Sequence, residues 1–193
     1  MKKEGKKFII VDCKKNINLD NIYAFFSDLL ETDYEEKGQS RIYYVDPERK
    51  YNLENIMDTV NLDFNANVSV FESNVIYNDN DMKTLISLYH KYHQLSYSNI
   101  SLLTLEIIRI GFEDINVIKP IILHCINKDT QLESVVLGMF DNNLNVSKTA
   151  HTVFMHRNTV INKLNYIKKE TGLDLQNFTD AVVMFALIKR KPK

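Results

Sequence analysis

Read from its amino terminus, the chain first carries apolar residues in short β-branched and aromatic runs. Lys7–Cys13 (KFIIVDC) and Arg41–Asp46 (RIYYVD) have the length and composition of strands, and Asn67–Phe71 (NVSVF) alternates apolar with polar positions. Between these runs the period changes. Leu19, Ile22, Phe25, Phe26 and Leu29 recur at helical spacing, as do Leu53, Ile56, Met57 and Val60. The pattern predicts three strands and two helices in β-α-β-α-β order, a small α/β unit over residues 1–75. Asn78, Asp79, Asn80 and Asp81 follow in a row, and this turn chemistry over Asn74–Asp81 predicts an internal boundary.

Beyond that point the period is helical throughout. Met82, Leu85, Ile86, Tyr89 and Tyr92 form one stripe. After a break at Ser96–Ser98, Ile100, Leu103, Ile107 and Ile110 form a second, stopped at Gly111. Two antiparallel helices are expected, with Pro120 opening a shorter one that runs through Cys125. We read residues 81–127 as a helical connector and a dimer surface. Residues 129–190 then form a third region. Thr130 and Glu133 have capping-box spacing, so a helix is expected to start there, with Leu132, Val135, Val136, Met139 and Phe140 on one face until Asp141–Asn143. A two-turn helix over Ser147–Val153 follows, with the small Ala150 where a neighbour could approach closely, then a turn at Phe154–His156. A longer helix from Arg157 to Thr171 ends at Gly172, which suits a left-handed cap. Two turns, a tight connection and a longer amphipathic helix are the layout of a helix-turn-helix. The fold class expected is α+β, mostly helical.

Composition narrows this picture by exclusion. Only 5 residues are Gly and 3 are Pro, so there is no Gly-rich dinucleotide or phosphate loop, and a turn-rich sandwich or barrel is not expected. No apolar run reaches the ~20 residues of a membrane span, and Phe8–Val11 is shorter than a secretory apolar region. A cytoplasmic protein with no membrane association follows. Cys13 and Cys125 are then two reduced thiols rather than a disulfide framework.

Charge adds the first hint of a partner. The formal net charge of −1 divides unevenly, with +6 from Asn145 onward and −7 before it. An acidic body with a basic end suggests a polyanion. On the helix from Arg157, Val160, Leu164 and Ile167 share a face while Asn158, Asn162, Asn165 and Lys169 lie opposite. Asn pairs bidentately with adenine in the major groove, and Arg157, Lys163 and Lys168 have phosphate chemistry. Other candidate chemistry is thin. His90 and His93 stand at i, i+3 without a third metal ligand nearby, and His124 and Cys125 would have to converge from elsewhere. Asp79 and Asp81 lack the rest of a calcium loop, with no Gly at its sixth position and His90 at its twelfth. Tyr89, Tyr92 and Tyr97 read as core. No nucleophile, base and orienting group stand out together, so no catalytic residue, metal or cofactor is expected, and the chain is read as a non-enzyme.

The residues around this motif resemble a known family. Leu144-Asn145-Val146-Ser147-Lys148-Thr149-Ala150, then His156-Arg157-Asn158-Thr159-Val160, Leu164, Ile167, Thr171-Gly172-Leu173-Asp174-Leu175 and a last helix through Ala186-Leu187 resemble the C-terminal helix-turn-helix domain of PucR/CdaR-type bacterial transcriptional regulators. The likeness covers Leu132 to Arg190. It implies a support helix at Ser147–Val153 and a recognition helix at His156–Lys169. This chain departs from the family at Ile161, Asn162, Asn165 and Tyr166, where basic or aromatic residues are common. In longer relatives a GGDEF-like or sensory module precedes the motif, and the strand-helix alternation of residues 7–73 is compatible with a reduced version.

The expected function is a DNA-binding transcriptional regulator, a homodimer on double-stranded DNA, answering to an unidentified small-molecule effector. Its expected DNA-contacting residues are Ser147, Lys148, Thr149, His156, Arg157, Asn158, Thr159, Asn162, Lys163, Asn165 and Tyr166. The alternative is a protein-interaction or ligand-sensing regulator that keeps the helix-turn-helix scaffold without binding DNA.

Overall fold

A computed structural model describes residues 5–13, 19–37, 40–92, 95–110 and 112–189. The chain divides into two compact units, Met1–Leu103 and Thr104–Lys193. The fold is α+β and mostly helical, with the sheet confined to the first unit.

The first unit contains β1 (Lys7–Cys13), α1 (Leu19–Leu30), β2 (Tyr34–Lys37), β3 (Ser40–Val45), α2 (Leu53–Asp63), β4 (Val68–Glu72), α3 (Asp79–Tyr92) and β5 (Tyr97–Asn99). The strands lie in the order β2-β3-β1-β4-β5; β1 is antiparallel to both β3 and β4, while β5 runs parallel to β4. Phe8, Ile9, Ile10 and Val11 of the central strand are all fully buried. This is why β1 reads as an unbroken apolar run: helices cover both of its faces. Ile9 and Val11 pack with Ile22, Phe26 and Met57 of α1 and α2, while Phe8 on the opposite face meets Phe71, whose ring lies 5.1 Å from Tyr89 of α3.

Two strands escaped the sequence pattern, which gave three. The β2 sequence, YEEK, is too charged to signal a strand, yet it pairs with β3 as a sheet edge, where charge is the usual guard against further pairing. At three residues, β5 is too short to alternate, and it fills the break expected between two antiparallel helices. The turn stretch Asn74–Asp81 is not where the units part. Ile76 exchanges backbone hydrogen bonds of 2.8 Å with Lys6, and Val75 and Ile76 are buried. The following stripe of Met82, Leu85, Tyr89 and Tyr92 is also buried in this unit, so that face of α3 is not free for the dimer contact expected of residues 81–127.

The helix α4 (Ile100–Ile110) spans the division, and α5 (Ile115–Ile122), α6 (Thr130–Asp141), α7 (Val146–Thr152), α8 (Arg157–Thr171) and α9 (Phe178–Lys189) follow. Ile110, expected on the buried stripe, is exposed, and the expected stop at Gly111 lies outside the described residues. Pro120 does not begin a helix but stands inside α5, on an exposed position of its last turn. There it costs one backbone hydrogen bond, which a helix of two turns tolerates close to its end. Cys125 falls beyond α5, in the turn before Ile126–Lys128. Both cysteines are free thiols. Among the described residues no helix is long and apolar enough to cross a membrane.

Two outcomes test this packing. Phe26 is fully buried, with its ring 5.4 Å from Phe25 and 6.5 Å from Tyr43. Phe26→Ala is therefore expected to cost about 3–5 kcal/mol in urea denaturation. Burial, with the nearby Glu170 charge second, pushes the Cys125 thiol up to about 11. Cys125 should thus stay unlabelled by a thiol reagent at pH 8 until the chain is unfolded; prompt labelling of the native protein would contradict its placement.

Candidate nucleic-acid interface

The second unit builds a three-helix platform from residue-level constraints. Asp129, not Thr130, caps α6: its carboxylate accepts from the backbone N–H of Gln131 at 2.8 Å and of Leu132 at 3.3 Å. The cap thus lies one residue before the expected one, with Leu132 rather than Glu133 at the third helical position and no capping box, because a carboxylate can take two of the free N–H groups at once. Leu132, Val135, Val136 and Met139 then form the buried face. Gly138, on the same helix, is buried where α7 crosses. A β-carbon built there would stand 2.9 Å from Val153 Cγ1 and 3.1 Å from Thr149 Cγ2. The missing side chain lets Thr149 come close enough to donate its hydroxyl to the Gly138 carbonyl at 3.1 Å.

Asn145 caps α7 by accepting from Lys148 N–H at 3.0 Å, and the buried Ala150 permits close packing as its size suggested. A left-handed residue at Phe154 reverses the chain into α8. His156 caps α8 through Nδ1, which accepts from Asn158 N–H at 3.2 Å; a neutral ring then carries its proton on Nε2. The helix runs over the expected Arg157–Thr171 and stops at Gly172, whose φ of 76° is the left-handed conformation glycine adopts freely. Val160, Leu164, Ile167 and Thr171 face the platform. Asn158, Thr159, Asn162, Asn165, Tyr166 and Lys169 fill the exposed arc opposite.

The expected contact residues therefore separate by position. Ser147 and Lys148 on α7, with His156, Arg157, Asn158, Thr159, Asn162, Asn165 and Tyr166, are exposed on the same pair of helices, and Lys163 is half-exposed beside them. Thr149 has no exposed surface; its hydroxyl is spent on the α6–α7 contact. Burial first and the Glu170 carboxylate second hold the Tyr166 phenol above its usual range, so it remains a hydrogen-bond donor at neutral pH.

The carboxyl-terminal half of α8 is tied down internally. Lys168 pairs with Asp174 at 2.6 Å, so this cation, a phosphate candidate by its chemistry, is engaged within the domain. The buried Glu170 accepts from His124, whose Nε2 lies at 3.2 Å while Nδ1 faces the Ile121 carbonyl at 3.0 Å. This pair gave no sequence signal, since its members stand 46 positions apart. The basic residues Arg190, Lys191 and Lys193 lie outside the described residues.

The first unit holds a constellation the sequence did not reveal. Ser40 Oγ is 3.0 Å from His90 Nε2, and His90 Nδ1 is 3.4 Å from Asp12 Oδ2. These are the residue types of a nucleophile, base and orienting acid. Ser40, however, is fully buried at the start of β3, so its hydroxyl is presented to no substrate, and the row links α3 to β1 and β3. Among the described residues no three His, Cys, Asp or Glu side chains form a metal-binding group, and His93 lies outside them.

Comparison with known proteins agrees with the local geometry. The family model of the PucR C-terminal helix-turn-helix domain matches residues 134–189, from the second turn of α6 to the end of α9. The carbohydrate diacid regulator of Escherichia coli (strain K12) is 34% identical over 58 residues, which make up 30% of this chain and 15% of that protein's length. A crystal structure of a regulator of polyketide synthase expression from Bifidobacterium adolescentis aligns with a TM-score of 0.45 at 12% identity, over 96% of this chain and 80% of that one.

The α6–α7 crossing gives a test whose sign runs against helix propensity. In an open helix Gly→Ala gains about 1 kcal/mol. At Gly138 the added methyl meets the stiff Val153 and Thr149 side chains, so Gly138→Ala is expected to destabilise the domain by about 1–2 kcal/mol net. Thermal or urea unfolding checks this, and a stabilised variant would refute the tight crossing.

Proposed function

We propose that this chain, whose residues 134–189 form a PucR-type C-terminal helix-turn-helix domain, is a bacterial transcriptional regulator that binds double-stranded DNA with α8 in the major groove. The observation that carries this reading is the composition of the exposed arc of α8. Asn158, Asn162 and Asn165 stand on one side of the helix, away from the platform, and the cations Lys148 and Arg157 flank its amino-terminal end. Amides read adenine edges, while cations hold phosphates. Ser147, Thr159 and the Nε2–H of His156 add hydrogen-bonding groups, with Lys163 a further cation at the side and Tyr166 a phenolic donor further along. Thr149 drops out of the contact set because it is buried.

Two copies reading paired half-sites about 34 Å apart fit such a domain, and a cytoplasmic regulator of this kind would take its signal from a small-molecule effector. The three-asparagine arc also favours a second reading, in which the same surface binds a protein partner, because amides recognise backbone as readily as bases.

A titration separates the two. A duplex selected by the wild-type chain from a random-sequence pool should bind with an affinity that falls steeply with salt, each phosphate contact contributing about −0.9 to the slope of log affinity against log salt. Arg157→Ala should lower that slope by about 0.9 per site. Asn162→Ala should leave the slope unchanged and lose about 1–3 kcal/mol of discrimination at an adenine. A pool from which nothing is selected even at low salt would sink the DNA reading and leave the protein-partner one.

A further inference from the structure

We infer that Phe154 is a DNA-contacting residue, its ring packing on the hydrocarbon surface of the duplex at the edge of the groove. The inference rests on the DNA-binding reading above and extends it to a residue outside the polar set. The first observation is exposure: Phe154 is 94% exposed, the most exposed of the large apolar residues among those described.

The second observation is backbone conformation. The end of α7 is a Schellman motif: Phe154 N–H donates to the His151 carbonyl at 3.3 Å, and Met155 N–H to Ala150 at 2.9 Å. The residue at its centre must be left-handed, and Phe154 has φ 54°. Glycine normally takes that seat and asparagine is the common substitute. The same domain follows this rule at its other two turns. The parallel motif after α6 centres on Asn143, with φ 53°, and α8 ends on Gly172.

An aromatic residue at such a position is strained unless something compensates it. The other left-handed residues each have a compensation. Glu31 pairs with Arg49 at 2.6 Å, Leu144 is half-buried, and Asn65 and Asn143 are of a type that tolerates the conformation. Phe154 has neither burial nor a tolerant side chain, so the free protein gains nothing from its ring. Its position supplies the missing reason. Phe154 precedes His156 and Arg157 by two and three residues, on the connection between the two helices that carry the polar contact set. With α8 in the major groove, that connection lies beside the duplex backbone, where an aromatic ring can cover a thymine methyl or a deoxyribose face.

The consequence is a variant whose stability and affinity move in opposite directions. In the full chain, Phe154→Asn should hold or raise the melting temperature, because asparagine accepts the left-handed seat. It should weaken binding to the duplex selected by the wild type about tenfold, with the salt slope unchanged, since no cation is lost. Phe154→Gly should repeat the loss of affinity, and Phe154→Tyr should restore most of it. Replacing thymine by uracil in the duplex assigns the contact: weaker binding by the wild type with no further loss in Phe154→Asn marks the methyl group, and unchanged binding by the wild type marks the sugar. Wild-type affinity in Phe154→Asn overturns the proposal, as does a lowered melting temperature in both the Asn and Gly variants, which would make the ring a structural element. Failure of the wild-type chain itself to select any duplex removes the DNA reading and this proposal with it, so the wild-type arm tells the two failures apart.

Discussion

The helix-turn-helix domain depends on one close contact, the crossing of α7 over α6 at Gly138. A short helix of seven residues has too little length to hold itself, since isolated helices under about a dozen residues are marginal in water. Val146–Thr152 is therefore held by what it touches. The absent side chain at Gly138 lets Thr149 reach the α6 carbonyl, and Ala150 keeps the packing distance short. Once α7 is fixed there, the turn at Val153–His156 fixes where α8 begins, and the buried row Val160, Leu164, Ile167 fixes its rotation. The arc of asparagines points outward as a consequence of that chain of contacts.

What the sequence made legible follows from how local each cause is. The limits of α8 could be read directly, because an amphipathic period, a histidine before it and a glycine after it act within the helix itself. The start of α6 was misplaced by one residue, because Asp129 and Thr130 are both good caps and only the hydrogen bonds distinguish them. Strands β2 and β5 were not legible, because an edge strand takes its pairing from a neighbour rather than from its own apolar pattern. The exposure of the polar residues proposed for that surface could be read from the helical period, apart from the buried Thr149, and the conformation of Phe154 could not. An exposed aromatic in a turn carries no signal until the backbone angle shows that the chain holds it at a cost.

Glycine scarcity links these points. With 5 glycines in 193 residues, the chain has few positions free to turn left-handed or to approach another helix closely. Within the described part of this domain, Gly138 and Gly172 serve those two purposes, one at the crossing and one at the end of α8. The remaining reversals fall to Asn143, Leu144 and Phe154, and the local cost is met by side-chain tolerance, partial burial or, at Phe154, by nothing within the free chain.

The same accounting of partners sharpens the electrostatics. The net charge of +6 after Asn145 suggests a broadly basic end, but the folded domain distributes it unevenly. Lys168 is neutralised by Asp174 at one end of α8, where Glu170 is also buried against His124. At the other end, Lys148 and Arg157 are exposed beside the amino terminus of the helix, whose N–H groups add about half a positive charge. The cations of this surface thus lie at both ends of α8, Lys148 and Arg157 beside its amino terminus and Lys169 near its carboxyl terminus, with Lys163 half-exposed between them. In the DNA reading proposed above, Lys148 and Arg157 would meet phosphates at the helix tip, with the asparagine arc running away from it along the groove, the approach by which a recognition helix places its first turns against base edges.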